Sequence, residues 1–193
     1  MASWLDAAPP DAFDVGGVRL RRWRSADAGL ITRLVAANLE HLRPWMPWAQ
    51  EVPSLDEEED FLTRMQRAWE ERLDFAYAIT RPTGEAIGGI GLHTRLGLGI
   101  LEIGYWIAAA ETGRGFVTAA VRALTDAAFT LSAVERVEIR CDEANRASAG
   151  IPSRLGFRLE QVVSRAPTAP AETGRFMIWA VGRDEWQAPR PPA

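Results

Sequence analysis

The sequence predicts an α+β (mixed α/β) fold, in which a mixed, mostly antiparallel sheet of about seven strands is flanked by helices. Three observations lead to this prediction. Apolar runs separated by turn residues indicate a three-stranded meander over 75–107, and a long helical pattern over 115–131 lies between two strand patterns. The chain has 193 residues with 47% hydrophobic content, which is enough for one sizeable core. A helix that connects two neighbouring strands makes them parallel, so we expect one parallel pair there.

The first half of the chain carries one strand and two helices before the meander. Apolar and charged residues alternate over 18–23, which is typical of a half-buried strand, and apolar residues recur at helical spacing over 26–39. Two prolines interrupt the segment 41–48, which we expect to be a loop. Ser54 and Glu57 have the spacing of a capping box, and the helix that they begin is expected to run to about residue 73.

The later segments complete the sheet. A helix is expected over 145–155, but Pro152 lacks an amide hydrogen and Gly150 weakens the same turn, so we expect this helix to be kinked or to start late. We expect a single domain over 15–186, with flexible tails over 1–14 and 187–193. The strands of the meander and of the later part of the chain are expected over 75–80, 86–92, 101–107, 136–141, 157–164 and 175–181.

Composition excludes several classes of protein. A single cysteine cannot form an intramolecular disulfide, and the two histidines stand too far apart for a metal-binding motif, so no metal is expected. All 22 basic residues are arginine, which excludes a lysine nucleophile and a Walker phosphate loop. The net charge of −4 argues against nucleic-acid binding. No apolar run has the length of a signal-peptide core or a membrane span, so we expect a cytoplasmic protein with no membrane partner.

One glycine-rich segment is a candidate anion site. Residues 110–116 (AETGRGF) follow a predicted strand and open the long helix. Gly113 and Gly115 allow a tight turn that exposes successive N–H groups, and the start of the helix adds the positive end of its dipole, so a phosphate or pyrophosphate is favoured there. A helix-entry turn that binds nothing fits the same residues. A dinucleotide-binding turn fits poorly, because the third glycine of that motif is missing.

Four stretches in this order resemble the GNAT superfamily of acyl-CoA-dependent N-acetyltransferases, in the branch that is similar to RimJ and RimL. Together they span residues 18 to 181, which makes the resemblance far more specific than any one motif. The stretches are 20–27 (LRRWRSAD), 40–48 (EHLRPWMPW), 102–107 (EIGYWI) running into 113–118 (GRGFVT), and 145–148 (NRAS) followed by 155–157 (LGF).

The resemblance implies where acetyl-CoA, the expected co-substrate, would bind. The sheet would be splayed, with the pantetheine in the split beside the strand 102–107 and the pyrophosphate on the amides of 113–117. Asn145 and Ser148 match family positions near the thioester end. The cofactor-binding residues that the resemblance implies are Trp106, Ile107, Ala108, Gly113, Arg114, Gly115, Phe116, Val117, Thr118, Asn145 and Ser148.

Two residues are the candidates for catalysis. An α-amine ordinarily has a pKa of about 7.7–8.0 and attacks a thioester only when neutral, so the reaction needs a base. The glutamate at the position of Glu102 is the proposed base in RimL-like proteins, and Ser148 would donate a hydrogen bond to the departing thiolate. Many other GNAT branches place a tyrosine acid where this chain has Pro152, which leaves Ser148 as the family-matched partner of the thiolate.

The acceptor side is less defined. Trp45 and Trp48 lie in the proline-broken loop that borders the acceptor in RimL-like proteins, and His93 ends a strand that faces the cleft; we take all three as substrate-binding candidates. The function implied is transfer of acetyl to a primary amine, either a protein N-terminus or a small molecule. A non-catalytic acyl-CoA-binding module and a transferase of longer acyl groups remain alternatives, and a homodimer is a family-level expectation.

Overall fold

The computed structural model describes residues 3–186. One eight-stranded sheet has the order β1-β2-β3-β4-β5-β6-β8-β7, and its pairs are antiparallel except for β5 and β6. This confirms the mixed α/β class and the parallel pair around the long helix. The strands are β1 (Ala12–Val15), β2 (Val18–Arg22), β3 (Asp74–Thr80), β4 (Ala86–His93), β5 (Ile100–Ile107), β6 (Arg136–Asp142), β7 (Arg158–Ser164) and β8 (Arg175–Gly182). The helices are α1 (Ala28–Leu42), α2 (Leu55–Glu70), α3 (Phe116–Thr130) and α4 (Arg146–Arg154), with short 3-10 turns at Ser25–Asp27 and Ala109–Glu111.

The sheet has one more strand than the seven that the sequence predicts. The additional strand, β1, lies almost wholly in the segment 1–14 that is expected to be a flexible tail. Gly16 and Gly17 both have positive φ, 55° and 81°, and form the two-residue turn that pairs β1 with β2. Such a turn suits the twist of a hairpin and requires residues that tolerate positive φ. A strand of four residues is too short to show a periodic pattern.

The residues before β1 also pack on the domain. Leu5 is buried in the core, and the Tyr77 hydroxyl donates a hydrogen bond of 2.9 Å to the Pro10 carbonyl. The Ser3 hydroxyl donates to the Arg72 carbonyl at 2.7 Å. The prediction of a flexible tail is therefore wrong for residues 3–14, because an apolar side chain and several hydrogen bonds attach them to the core. The predicted tail 187–193 lies outside the described residues.

The two faces of the sheet carry separate cores. The α3 and α4 helices pack on one face, where Leu124 of α3 and Ile103 of β5 are buried. The α1 helix and the first half of α2 cover the other face, with Val35 and Leu62 among the buried residues. The predicted capping box is present, since Ser54 accepts from the Glu57 amide and Glu57 accepts from the Ser54 amide. No helix within residues 3–186 is both long and apolar enough to cross a bilayer.

The sheet is split along one line. Ile100–Glu102 of β5 pair with Arg136–Glu138 of β6, and beyond these residues the two strands no longer pair with each other. From there β5 continues to Ile107 on β4, whereas β6 continues to Asp142 on β8. The β5 edge beyond Glu102 therefore faces a gap rather than a strand.

The end of β5 lies unusually close to β4, which gives a prediction about stability. A Cβ on Gly88 would lie 2.4 Å from the Trp106 carbonyl oxygen. We expect Gly88→Ala to lower the free energy of unfolding by about 1–3 kcal/mol, because backbone must move to admit the methyl group. Gly29→Ala in α1 is the matched control and should be neutral or stabilising, since its Cβ meets the flexible Arg33 side chain and alanine favours helix. Denaturant unfolding of both variants checks this, and a Gly88→Ala protein as stable as the parent would contradict it.

Candidate functional site

A cleft of about 960 Å³ runs through the gap between β5 and β6. It is lined by Glu102 and Gly104 from the face that carries α1 and α2, and by Tyr105, Cys141 and Ser148 from the face that carries α3 and α4. The structure thus brings together seven residues that the sequence singles out, on strands, a loop and a helix far apart in the chain: Trp45, Trp48, His93, Glu102, Trp106, Asn145 and Ser148.

A row of ionisable side chains crosses the sheet, and its first three members, Asp74, His93 and Glu102, line the cleft. Asp74 pairs with His93 between β3 and β4, His93 with Glu102 between β4 and β5, and Glu102 with Glu138 between β5 and β6. Residues that are cross-strand partners project from the same face of a sheet. The register therefore places four ionisable groups side by side on the face that carries α1 and α2.

Glu102 is held by an arginine that the sequence does not single out. Its carboxylate is buried, and Oε2 accepts a hydrogen bond of 2.6 Å from Nε of Arg95. The Arg95 side chain is mostly exposed, so its charge remains in contact with water. This bond raises the pKa of Arg95 and keeps the guanidinium charged. Glu102 thus presents a carboxylate to the cleft, with one of its oxygens held by Arg95.

His93 lies flat on the sheet because two neighbouring residues have no side chain. A Cβ on Gly91 would lie 3.1 Å from Cε1 of His93, and a Cβ on Gly104 would lie 3.1 Å from Nε2. Nδ1 of His93 is 2.9 Å from Oδ1 of Asp74. The imidazole is thus directed toward Asp74 on one side and toward β5, beside Glu102, on the other.

Helix α4 begins where the family resemblance requires it. Asn145 is the N-cap, and its Oδ1 accepts a hydrogen bond of 3.1 Å from the Ser148 amide. The helix runs from Arg146 to Arg154 with Pro152 inside it, so it does not start late.

Tyr105 compensates for the proline. Pro152 has no N–H, so the Ser148 carbonyl four residues earlier lacks its helical donor. The Tyr105 hydroxyl, from β5, donates to this carbonyl at 3.0 Å and is also 3.0 Å from Oγ of Ser148. Burial raises the pKa of Tyr105, so its hydroxyl stays protonated as a donor. Ser148 therefore has its side chain anchored to the strand across the gap.

Cys141 completes the α4 side of the cleft. Its thiol is buried, and burial raises the pKa to about 11, with a hydrogen bond to Ser148 acting in the opposite direction. The thiol stays protonated at neutral pH, and a protonated buried thiol is a poor nucleophile. Cys141 thus forms part of the wall beside Ser148.

The predicted anion site lies at the start of α3, outside the lining of the cleft. Gly113 and Gly115 have φ of 73° and 80°, which explains why glycine is needed at both positions. The first internal hydrogen bond of α3 runs from the Ala119 amide to the Gly115 carbonyl, so the amides of Phe116 to Thr118 precede it. The Arg114 guanidinium is 3.2 Å from Glu111 and lies over the Phe116 ring, which keeps it beside the turn. Ile107 and Ala108 lie between this turn and the cleft along the chain.

The tryptophans of the proline-broken loop form the outer wall of the cleft. Trp48 is half exposed, and its ring lies edge-on to that of Trp106 with centroids 5.7 Å apart. Trp45 lines the same cleft together with Met46. The loop thus narrows the mouth on the side that carries α1 and α2, where an acceptor would enter.

Sequence reasoning misses four residues of the site: Glu58, Asp74, Arg95 and Tyr105. Asp74, Arg95 and Tyr105 reach the cleft only through strand pairing or across the gap, so no local pattern marks them. Glu58 stands in an acidic run at the start of α2 that is typical of a solvated helix start. Its spacing to Phe61 and Met65, three and seven residues, is a usable signal, because it places the glutamate on the same face of the helix as two apolar residues.

The chain is similar to known acetyltransferases. Residues 18–158 match the family model described as an acetyltransferase (GNAT) domain. A Bacillus subtilis protein named "Putative ribosomal N-acetyltransferase YdaF" is 30% identical over 141 residues, which are 72% of this chain and 77% of that protein.

Two solved structures are similar over most of their length. Mycobacterium smegmatis RimJ in complex with a CoA disulfide has a TM-score of 0.82 and 25% identity, over 93% of this chain and 91% of that one. The ribosomal L7/L12 α-N-protein acetyltransferase RimL in complex with coenzyme A has a TM-score of 0.80 and 22% identity, over 89% and 97% of the two chains. Because the family match spans most of the chain, this protein belongs to the GNAT family and is an acyl-CoA-dependent N-acetyltransferase.

Proposed function

We propose that this chain transfers an acetyl group from acetyl-CoA to a primary amine by direct attack within a ternary complex. In this proposal Glu102 is the base and Ser148 is the hydrogen-bond donor to the departing thiolate. The observation that carries it is that the Glu102 carboxylate and the Ser148 hydroxyl line one cleft at the parting of β5 and β6.

The pantetheine arm of acetyl-CoA can bind in the gap between β5 and β6. The β5 residues beyond Glu102 have no strand partner on the β6 side, so the pantetheine amides can hydrogen-bond to this edge as a neighbouring strand would. The pyrophosphate would then lie on the amides at the start of α3, beyond Ile107. The bound CoA in the RimJ and RimL structures supports this assignment.

The chemistry follows from the groups at the thioester end. The neutral amine nitrogen attacks the thioester carbonyl carbon, and the C–S bond breaks as the tetrahedral intermediate collapses. Glu102 accepts the proton that the nitrogen loses, directly or through one water. The sulfur leaves as a thiolate, and the Ser148 hydroxyl, whose hydrogen turns from the Tyr105 oxygen to the sulfur, stabilises it by a hydrogen bond.

The acceptor that the comparisons favour is the α-amine of a protein N-terminus. RimL is named as a ribosomal L7/L12 α-N-protein acetyltransferase, and YdaF is named as a putative ribosomal N-acetyltransferase. The open cleft between the tryptophan loop and the sheet admits an extended peptide end. Small primary amines are the second class of acceptor to be tested.

Calorimetric titration with acetyl-CoA and thiol release with a panel of N-terminal peptides and small amines test the proposal. We expect Glu102→Gln to lower kcat by about 100-fold or more, because the base is lost, while the acetyl-CoA dissociation constant changes less than about twofold. Exposed Glu135→Gln is the matched control and should behave as the parent.

We expect Ser148→Ala to lower kcat by about tenfold or more. If Glu102→Gln keeps the parental kcat, Glu102 is not the base. If Ser148→Ala keeps the parental kcat, Ser148 is not the donor to the thiolate.

Tyr105 gives an independent prediction about Ser148. In Tyr105→Phe the Ser148 carbonyl loses its donor and the hydroxyl loses its anchor, so we expect a loss of about 1 kcal/mol of unfolding free energy and a lower kcat. Adding Pro152→Ala restores a helical N–H opposite the same carbonyl. The stability cost of Tyr105→Phe should therefore be smaller in the Pro152→Ala background, as a double-mutant cycle by denaturant unfolding would measure. Equal costs in both backgrounds would contradict the compensation.

A further inference from the structure

Glu58 is a buried carboxylate without a partner. It projects from the first turn of α2 into the cleft and is only 7% exposed. Its Oε2 is fully shielded from solvent and has no hydrogen-bond partner within residues 3–186. Burial raises the pKa of Glu58, Glu57 adds to this effect, and Arg64 opposes it without forming an ion pair. Burial of a charge is strongly unfavourable unless a partner compensates it.

Three other carboxylates that line the cleft are compensated. Glu102 is bonded to Arg95, and Glu172 is paired with Arg165. Asp142 accepts hydrogen bonds from the amides of Ala144, Thr173 and Gly174 and from the Thr173 hydroxyl. Asp74 has the His93 imidazole next to it at 2.9 Å, although the two facing atoms are not aligned as a hydrogen bond. Among the described acids of the cleft, Glu58 is the one with neither a basic side chain within ion-pair distance nor a hydrogen bond at its buried oxygen.

The surroundings of Glu58 are apolar and aromatic. Phe61 and Met65 of the same helix, Trp23 before α1, and Ile31 of α1 line the cleft around it. Aromatic faces attract cations, and apolar walls accommodate the methylene groups that carry a cation. An anionic or purely apolar ligand would leave the carboxylate uncompensated.

Glu58 is also separate from the site of acetyl transfer. Helix α2 packs on β3 and α1, whereas Glu102 lies on β5 with β4 between them. Two strand spacings amount to about 10 Å. The amine that attacks must be neutral and lie at the thioester, so it does not compensate a carboxylate on α2 during transfer.

We infer that Glu58 binds a second, positively charged group of the acceptor, distinct from the amine that is acetylated. The inference rests on the proposed function and deepens it by naming the substrate class: primary amines that carry a further cation at the end of an aliphatic arm. A peptide N-terminus with a basic side chain close to it and an α,ω-diamine both satisfy this description.

The test compares diamines of three, five and seven carbons with the amino alcohols of the same length, using the full chain. We expect kcat/KM for at least one diamine to exceed that of its amino alcohol by about tenfold or more, because only the diamine supplies the second charge. The ratio should fall to near one in Glu58→Gln and be partly kept in Glu58→Asp. Glu59→Gln, exposed on the same helix, is the matched control and should keep the parental ratio. Ratios near one in the parent, or a preference that survives in Glu58→Gln, would overturn the inference.

A second measurement separates this inference from the proposed function. If no amine is acetylated, the proposed transfer fails, and calorimetric binding of the same diamines to the CoA-saturated protein then decides the role of Glu58. We expect the parent to bind at least one diamine and Glu58→Gln to lose this binding. If the parent binds no diamine, the inference is overturned.

Glu58→Gln should also unfold at the same or a higher temperature than the parent, because an uncompensated charge is removed. A clear fall in the unfolding temperature would instead identify Glu58 as a structural residue and overturn the inference.

Discussion

The parting of β5 and β6 is the constraint on which the site depends. The two strands pair only over Ile100–Glu102 and Arg136–Glu138, and then each follows a different neighbour. Backbone groups at such an edge need hydrogen-bond partners, and a cofactor that carries amides can supply them. The same parting joins the two faces of the sheet in one cleft, which Glu102 lines from one face and Ser148 from the other.

Charge inside the cleft is controlled by pairing across strands and between elements. Arg95 compensates Glu102 from the exposed side, whereas Asp74 lies 2.9 Å from His93 without a hydrogen bond between them. The ion pair keeps the Glu102 carboxylate in a half-enclosed space at limited free-energy cost, because opposite charge replaces the lost water. Glu58 has no such partner, and an unfavourable feature of the free protein that a ligand can relieve is typical of a binding site.

Helix α4 illustrates a local rule overridden by a tertiary contact. Pro152, the seventh of the nine residues of α4, removes a hydrogen bond from the helix, which from the sequence alone indicates distortion. The Tyr105 hydroxyl restores a donor to the same carbonyl from a strand some forty residues earlier in the chain. The same Tyr105 hydroxyl also contacts Oγ of Ser148 and holds that side chain. Pro152 therefore leads to a contact that positions Ser148, although in the sequence it argues against an ordered helix there.

The sequence by itself determined the class of fold, the seven longer strands, the four helices, the crossover that makes β5 and β6 parallel, and the turn at Gly113 and Gly115. These follow from periodicity, capping residues and turn chemistry, which act between residues close in the chain. Only the tertiary structure decided that residues 3–14 join the domain and that Asp74, His93 and Glu102 form a row. It also decided that Tyr105 bonds to Ser148 and that Glu58 faces the cleft. Those outcomes depend on strand register and on packing between elements distant in the chain, and no local pattern encodes either.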